Sequence, residues 1–503
     1  MYHNPLFAID FYKVDHRRQY PKGTTEIYSN FTPRYVKKNH SLLPDFDNQI
    51  VVFGIQSFIR DYLIEQWNFL FFDRPRNLVI DEYKDLIQTA LGIENFDCSH
   101  LEALHDLGYL PIRIKAINEG FRVPIGVPLL TIVNTHPKFF WLTNYLETIL
   151  SASLWKAMTS ATIAFEYKRL LTRYAKQTGC DESFVDYQAH DFSFRGMSGW
   201  NDATLSGAAH LTSFKGTDCV SAIDLLNHHY DASATASIVG TSVPATEHSV
   251  MCCGGAEGEF DTIKRLITEV YPEGIVSIVC DSYDLWRTLN VYLPSLYKEI
   301  TDREGKVVVR PDSGNPVDII CGDMYAVCNT PAHKGALQLL WDTFGGRINS
   351  AGYKELNPKV GLIYGDAITV DRAALILKIM EEKGFASSNI VFGVGSYTYQ
   401  YVTRDTFGFA MKATSAVIDG KRHAIYKDPI TASDGNNKRS ARGLLKVGMD
   451  NETGKFYLND DTTESGEADG HLEVVFEDGK LINQTDLSAI RYNLAIELEH
   501  FSR

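Results

Sequence analysis

The pattern of apolar and polar residues changes along the chain. From Pro111 to Ile117 and from Phe121 to Ile125, apolar and polar residues alternate, which predicts a half-buried antiparallel pair of strands with a turn near Glu119–Gly120. From Phe140 to Leu171 the apolar positions follow helical spacing, which predicts a pair of long helices. The first third of the chain is therefore expected to contain both strands and helices.

From about residue 185, short apolar runs end repeatedly in acidic or glycine-rich segments. These runs are Ile275–Cys280 before Asp281, Val307–Val309 before Arg310, Val360–Tyr364 before Gly365, and Ile390–Phe392 before Gly393. Strands this apolar are typical of a parallel sheet that is buried on both faces. Polar residues at the carboxyl ends of successive strands favour an α/β barrel, although an open doubly wound sheet would give similar strands.

After about residue 400 the alternating pattern returns, for example from His471 to Phe476. We interpret these segments as strands that join the amino-terminal strands in a second, sheet-rich domain. The predicted fold is thus α/β, with a TIM-like barrel formed by residues 181–399. Residues 1–180 and 400–503 together form the second, discontinuous domain.

The net charge, the apolar runs and the cysteines of the chain limit its possible partners and its location. The formal net charge of −14 opposes general attraction to nucleic acid or to an anionic membrane, so neither is expected as a partner. No apolar run approaches the roughly 18 to 20 residues of a membrane helix, and Met1–Pro5 does not resemble a secretion signal. Eight cysteines without C-x-x-C spacing predict free thiols in a reducing compartment, and hence a cytoplasmic protein.

The most specific string is Arg310-Pro311-Asp312-Ser313-Gly314-Asn315-Pro316, directly after a predicted strand. Pro-Asp-Ser-Gly is a turn sequence, and a turn alone would explain it. An arginine and an aspartate at one strand end also suit an anionic sugar, because guanidinium binds phosphate and carboxylate binds ribose hydroxyls or a metal. The residues by themselves leave both interpretations open.

This string resembles the nicotinamide phosphoribosyltransferase family. Other segments resemble the family in the same order, from residue 10 to about residue 440: Asp10–Val14, His190–Gly196, Phe214–Asp218, Ser242–His248, Asp281–Asp284 and Thr403–Asp405. The resemblance implies a type II phosphoribosyltransferase with an irregular α/β barrel and a sheet domain, working as a homodimer with shared active sites. It also implies that nicotinamide and phosphoribosyl pyrophosphate are condensed to nicotinamide mononucleotide and pyrophosphate, for the salvage of NAD.

The resemblance assigns roles around the nicotinamide ring. It places Phe192 on one face of the ring and Tyr12 of the partner subunit on the other. It makes Asp218 the acceptor for the carboxamide nitrogen, and therefore the residue that selects the amide over the acid, with Arg310 near the carboxamide oxygen. Without the resemblance, both aromatics would be assigned to the core and Asp218 to a helix cap.

The resemblance also implies a phosphate-binding group. Its basic members, which contact the 5′-phosphate or pyrophosphate and in part act across the dimer, are Arg195, Arg34, Arg404, Lys412, Lys427 and Lys438. Gly365–Asp366 and Gly395–Ser396 lie at strand ends, where backbone N–H groups can cradle phosphate. Departures from the family pattern at Ala367, Tyr397 and Ala410 leave the fine geometry of phosphate binding open.

The chemistry needs no general base, because the pyridine nitrogen attacks the anomeric carbon with its own lone pair. Asp312 and Asp281 are expected to hold the ribose and Mg²⁺, which binds mainly through substrate phosphates, so no protein metal site is assigned. The resemblance implies that ATP, as a facultative co-substrate, transiently phosphorylates His248, and we expect Glu247 and Asp281 to orient its ring.

Three other functions remain as alternatives. The nearest is nicotinate phosphoribosyltransferase, against which Asp218 argues because two carboxylates would face each other. The second is another barrel enzyme acting on a phosphosugar, such as an aldolase or isomerase. The third is a catalytically silent nicotinamide- or nucleotide-binding regulator.

Overall fold

The computed structural model describes residues 4–36, 43, 45–235, 238–427 and 441–500. In chain order, its strands are β1 (Thr24–Thr32), β2 (Gln49–Val51), β3 (Ile112–Ala116), β4 (Arg122–Pro124), β5 (Leu130–Asn134), β6 (Ala189–Asp191), β7 (Gly216–Thr217), β8 (Glu273–Val279), β9 (Glu304–Arg310), β10 (Gly346–Ile348), β11 (Lys354–Leu356), β12 (Val360–Tyr364), β13 (Ile390–Val394), β14 (Ala410–Ile418), β15 (Lys421–Ala424), β16 (Leu444–Met449), β17 (Phe456–Thr462), β18 (Glu473–Glu477) and β19 (Lys480–Leu481).

The longer helices are α1 (Arg76–Leu91), α2 (Ser99–Leu107), α3 (Glu147–Gln177), α4 (Trp200–His210), α5 (Val220–His229), α6 (Ala336–Phe344), α7 (Val370–Glu382) and α8 (Leu487–His500). Shorter helices and turns connect the other elements, and two of them, His248–Cys252 and Ser396–Tyr399, carry candidate site residues. Within the described residues, no helix combines the length and the apolar character that crossing a membrane requires.

One sheet is antiparallel and combines strands from both ends of the chain. Its order is β15-β14-β1-β5-β3-β18-β19, so β1, β3 and β5 from the first part of the sequence lie between strands that follow residue 409. The predicted union of amino- and carboxyl-terminal strands in a second sheet is therefore confirmed. The boundaries proposed for the two domains stay a prediction.

The second large sheet is parallel, with the order β7-β6-β13-β12-β9-β8. Its two edges are joined by the segment from Thr241 to Thr246. Thr217 N–H donates to the Thr241 carbonyl on the β7 side, and Thr246 N–H donates to the Ser277 carbonyl on the β8 side. This segment turns the sheet into an irregular barrel, which confirms the predicted fold class.

Alternation along the strands separates the barrel interior from its surroundings. Val307 and Val309 of β9 are buried in the hydrophobic core, whereas Lys306 and Val308 line the barrel interior. Helix α3 contributes to the core of both sheets: its first half packs with the antiparallel sheet and its second half with the barrel. This helix therefore couples the two sheets through apolar contacts.

Two predictions about the first third of the chain are wrong. The alternation in β3 is present, but β3 pairs with β5 and β18, whereas β4 pairs with β2. The expected hairpin across Glu119–Gly120 does not form, because each strand finds a partner distant in sequence. The expected pair of long helices is one 31-residue helix, α3, preceded by the single turn Leu142–Tyr145.

The eight cysteines are free thiols, as predicted. Cys98, Cys219, Cys280 and Cys321 are buried, and burial raises the pKa of the Cys98 thiol to about 11. Three others, Cys252, Cys253 and Cys328, are exposed.

Candidate active site

The residues that follow the carboxyl ends of the barrel strands meet at one mouth. Phe192 directly follows β6, Asp218 directly follows β7, and Asp281 lies two residues after the end of β8. Arg310 ends β9, and Gly365 follows β12. Because the strands are parallel and adjacent, these side chains converge on one end of the barrel, where such folds place their sites.

The Phe192 ring is held by its neighbours. Its backbone N–H donates to the Val394 carbonyl at 2.9 Å, and the guanidinium carbon of Arg310 lies 4.8 Å from the ring centroid. A Cβ atom on Gly393 would lie 2.3 Å from the ring, and one on Gly365 would lie 3.0 Å from it. Gly393 therefore has no room for a side chain while this ring keeps its place, whereas a Cβ atom on Gly365 would need the ring to shift by only a few tenths of an ångström.

Asp218 accepts two hydrogen bonds on the same oxygen. The Nε2 atom of His190 and the hydroxyl of Ser242 lie 2.8 and 2.7 Å from its Oδ1. Burial raises the pKa of this carboxyl, but the hydrogen bonds and the positive charge of Arg310 outweigh burial and lower the pKa below its ordinary value. Asp218 is thus an ionised acceptor at the edge of the cavity.

The Arg310–Gly314 loop is built around Asp281. The Asp312 N–H and the Ser313 hydroxyl both donate to Oδ2 of Asp281, at 2.8 and 2.6 Å. Arg310 lies 3.6 Å from Asp312, and its Nε atom is buried without a hydrogen-bond partner among the described residues. The loop therefore holds one guanidinium and two carboxylates in a fixed arrangement.

His248 begins a short helix beside the same carboxylate. Its Nε2 atom lies 3.5 Å from Oδ1 of Asp281, and its side chain is 49% exposed. The expected proximity to Asp281 is present. Glu247, by contrast, accepts a hydrogen bond from the Ser249 hydroxyl.

A cavity of about 830 Å³ runs from the mouth into the barrel. Phe192, Asp218 and Ser242 line it near the mouth, and Lys306 lines it further inside. Burial lowers the pKa of Lys306. The cavity is larger than a single pyridine ring requires, and its walls combine apolar with polar side chains.

A second group of charges lies on the antiparallel sheet, where β1 ends and β14 begins. Partial burial lowers the pKa of the Lys412 ammonium, and nearby positive charges lower it further. The negative charge of Glu147 acts in the opposite direction but does not outweigh them. The positive charges belong to Arg34, Arg404 and Lys13. Three predicted phosphate ligands therefore form one cluster, together with Lys13, which the sequence analysis did not assign.

Within one subunit, Tyr12 lies beside this basic cluster on the antiparallel sheet, whereas Phe192 lies at the barrel mouth. Its ring lies 5.3 Å from the His16 ring and 5.3 Å from the Lys13 ammonium, and it is 60% exposed. Burial, Glu147 and Asp10 raise the pKa of its hydroxyl, and Arg404 opposes them.

The other predicted phosphate ligands are more scattered. Arg195, Asp366 and Lys427 are exposed, and Lys438 lies outside the described residues. Gly395 precedes the short helix that begins at Ser396, whose side chain packs against Gly196.

The three departures from the family pattern have different settings. Ala367 has a φ of 51°, in the left-handed region that glycine adopts more easily. The backbone is therefore strained at Ala367, next to Asp366. Tyr397 stacks on Tyr401 with 4.9 Å between ring centroids, and Ala410 is buried opposite Thr32.

Three carboxylates gather at the mouth around the hydroxyl of Tyr364. Burial and the carboxylates of Asp366, Asp281 and Asp312 all raise the pKa of the Tyr364 hydroxyl. Within the described residues, no three His, Cys, Asp or Glu side chains come close enough to hold a metal ion by themselves. Two or three separated carboxylates suit Mg²⁺ that is bound mainly by water and substrate oxygens.

His190 and Ser242 were not predicted as site residues. His190 stands two residues before Phe192 and so points to the same side of the strand, a period-two signal that could have identified it. Ser242 begins the family-like segment Ser242–His248, which closes the barrel, but no periodicity of that segment indicates that its hydroxyl donates to Asp218.

Comparisons with known proteins agree along the whole chain. Residues 187–479 match the nicotinate phosphoribosyltransferase (NAPRTase) family, and residues 4–114 match the nicotinamide phosphoribosyltransferase N-terminal domain. A nicotinamide phosphoribosyltransferase of Acinetobacter baylyi is 55% identical over 99% of this chain and 98% of its own length. Another, of Xanthomonas campestris, is 35% identical over 97% of each chain.

The fold has a solved counterpart. The nicotinate-nucleotide pyrophosphorylase of Pyrococcus furiosus superposes with a TM-score of 0.59, at 14% identity, over 99% of this chain and 97% of its own. At this identity the likeness concerns the fold alone.

Proposed function

The chain belongs to the nicotinamide phosphoribosyltransferase family, and from that premise we propose that the barrel mouth joins nicotinamide to phosphoribosyl pyrophosphate. The products are nicotinamide mononucleotide, an NAD precursor, and pyrophosphate. The observation that carries the proposal is the set of three groups at the cavity entrance. The ring of Phe192 and the carboxylate of Asp218 line the cavity, and the guanidinium carbon of Arg310 lies 4.8 Å from the centroid of the Phe192 ring.

These three groups match the three features of nicotinamide. The Phe192 ring offers a flat apolar surface for the pyridine. The Asp218 carboxylate accepts from the carboxamide N–H₂, and the Arg310 guanidinium donates to the carboxamide oxygen. An amide therefore satisfies both charged residues, whereas an acid would leave Asp218 facing a second carboxylate.

Catalysis then rests on positioning and charge. The pyridine nitrogen attacks the anomeric carbon with its lone pair, the bond to pyrophosphate breaks, and positive charge develops near the ribose ring oxygen. Asp312 and Asp281 bind the ribose hydroxyls in this scheme, and their carboxylates favour the developing positive charge. No group in this scheme needs to remove a proton from nicotinamide.

The acidic residues at the mouth fit Mg²⁺ carried by the substrate. Oδ1 of Asp281 is buried and has no hydrogen-bond partner among the described residues, and Asp312 lies on the adjoining loop. Mg²⁺ bound to these oxygens and to pyrophosphate would neutralise charge on the leaving group.

We propose that the active form is a homodimer whose sites combine the mouth of one subunit with the basic cluster of the other. The exposed aromatics Phe11 and Tyr12 beside the cluster support this, because large apolar side chains at the surface commonly mark interfaces. The partner's ring would then cover the open face of nicotinamide on Phe192. The gathered cations would bind the phosphates against the net negative charge of the chain.

We also propose that ATP phosphorylates His248. Asp281, near Nε2, favours the tautomer with the proton on that nitrogen, which leaves the lone pair on Nδ1. Nδ1 attacks the γ-phosphorus and ADP leaves, and water later releases the phosphate. The exposure of His248 gives ATP access to the ring. A cytoplasmic location stays a prediction from the cysteine pattern.

The test of substrate choice is Asp218→Ser. Loss of a charged hydrogen bond costs about 1.5 to 3 kcal/mol, so kcat/KM for nicotinamide should fall roughly ten- to two-hundred-fold. Loss of repulsion should raise kcat/KM for nicotinate in absolute terms.

The matched control is Asp224→Ser, since Asp224 also pairs with a histidine, His228 at 3.3 Å, but on the exposed face of α5. It should leave both values unchanged. If the nicotinamide-to-nicotinate ratio of Asp218→Ser equals that of the wild type, Asp218 does not select the substrate.

A further inference from the structure

Three adjacent barrel segments converge on one oxygen of Asp218. His190 comes from β6, Asp218 follows β7, and Ser242 lies on the segment that closes the barrel between β7 and β8. Both donors reach Oδ1, at 2.8 and 2.7 Å. Among the described residues, hydrogen bonds to this carboxylate reach only Oδ1.

The two donors are themselves held in place. The His190 ring packs on Phe192 with 4.9 Å between centroids. Its Nδ1 atom lies 2.8 Å from the point where a Cβ atom on Gly216 would stand, so the absence of a side chain at Gly216 makes room for the ring. Since a carboxylate only accepts hydrogen bonds, the Nε2 atom that faces it carries a proton.

We propose that His190 and Ser242 are positioning residues that set substrate specificity: by occupying Oδ1 of Asp218, they direct its Oδ2 towards the pyridine substituent. The proposal rests on the function proposed above. A carboxylate free to rotate would present either oxygen in several directions, and the carboxamide would have to order it on binding. Two fixed donors on one oxygen remove that cost before nicotinamide arrives.

The same donors keep the carboxylate ionised. The charged and titratable groups that face Asp218 are His190 and Asp191 from β6 and Arg310 from β9. Burial raises the pKa of Asp191. Removal of a donor should therefore raise the pKa of Asp218. The carboxylate would then become protonated, and stop accepting from the amide, at a higher pH.

Ser242→Ala is the first test, because it removes a donor without removing a titratable group, at an exposed position. We expect KM for nicotinamide to rise about ten-fold, the scale of one hydrogen bond to a charged group, while kcat and KM for phosphoribosyl pyrophosphate stay unchanged. The nicotinamide-to-nicotinate ratio of kcat/KM should fall. The acidic limb of the nicotinamide pH profile should move to higher pH.

Two further variants separate positioning from packing. His190→Phe keeps a ring against Phe192 but removes the donor, and it should lower the same ratio. Ser242→Thr keeps a hydroxyl and should restore both the ratio and the pH profile. Ser295→Ala is the control, since the Ser295 hydroxyl donates to a backbone carbonyl on an exposed helix.

Binding of nicotinamide and nicotinate by calorimetry, without phosphoribosyl pyrophosphate, gives the same comparison independently of turnover. A wild-type protein that forms no nicotinamide mononucleotide would contradict the proposed function. An active wild type with Ser242→Ala and His190→Phe at an unchanged substrate ratio and pH profile would overturn this inference alone. Equal losses for both substrates would also overturn it, because they would indicate a structural role.

Discussion

The two glycines that accommodate Phe192 give a graded prediction. A Cβ atom on Gly393 would lie 2.3 Å from the Phe192 ring, so the ring must retreat by about 1.1 Å to restore ordinary contact. A Cβ atom on Gly365 would lie 3.0 Å from it and requires only about 0.4 Å. Since a displacement of about 1 Å can cost on the order of a hundred-fold in rate, Gly393→Ala should lower kcat/KM for nicotinamide about a hundred-fold. Gly365→Ala should lower it roughly three- to ten-fold.

Initial rates of pyrophosphate release, with nicotinamide as the varied substrate, measure this series. Gly393→Ala also brings its Cβ within 2.7 Å of the Gly365 backbone, and the overpacking should destabilise the fold by about 1 to 3 kcal/mol. Thermal unfolding must therefore show that each variant is folded at the assay temperature. Gly258→Ala, where a Cβ atom meets open space, is the control. If Gly365→Ala loses as much as Gly393→Ala, or neither loses activity, the Phe192 ring does not position the substrate.

Three further predictions concern the charged residues and the assembly. Arg310→Ala and Asp312→Ala should each leave the protein folded but remove several kcal/mol of transition-state stabilisation, which lowers kcat/KM accordingly. A near-normal kcat/KM in either variant would show that the residue does not belong to the site. His248→Ala should abolish ATP hydrolysis and ATP stimulation while slow basal synthesis remains; continued ATP hydrolysis during turnover would show that another residue is phosphorylated. Mixing Tyr12→Ala with Phe192→Ala subunits should restore part of the activity, because one of the two sites regains both rings, whereas a fully active monomer by light scattering would contradict shared sites.

The parts of the fold that the sequence predicted are those marked by local burial. Near-continuous apolar runs identified β8, β9, β12 and β13, because a strand covered on both faces needs apolar residues at successive positions. Strand partners were not predictable in the same way. Alternation in β3 shows which face is buried, but its partners β5 and β18 are chosen by packing between distant segments. The closing segment around Pro244 lacks an apolar run, so nothing local marks it as part of the barrel.

The site divides in the same manner. Asp281 and Arg310 stand at or just after the ends of apolar runs, where the sequence predicted polar residues of a site, and the parallel order brings them to one mouth; their specific roles came from the family resemblance. The cluster of Arg34, Arg404 and Lys412 joins distant segments of the chain, and the residues alone would have been assigned to the solvated surface. Only the family resemblance selected them.

We propose above that this barrel mouth joins nicotinamide, in preference to nicotinate, to phosphoribosyl pyrophosphate. The most direct measurement incubates the purified full chain with phosphoribosyl pyrophosphate, Mg²⁺ and each pyridine in turn, and quantifies mononucleotide and pyrophosphate together. We expect equimolar nicotinamide mononucleotide and pyrophosphate, with a higher kcat/KM for nicotinamide than for nicotinate. A higher kcat/KM for nicotinate, or no pyrophosphate release with either pyridine, would contradict it.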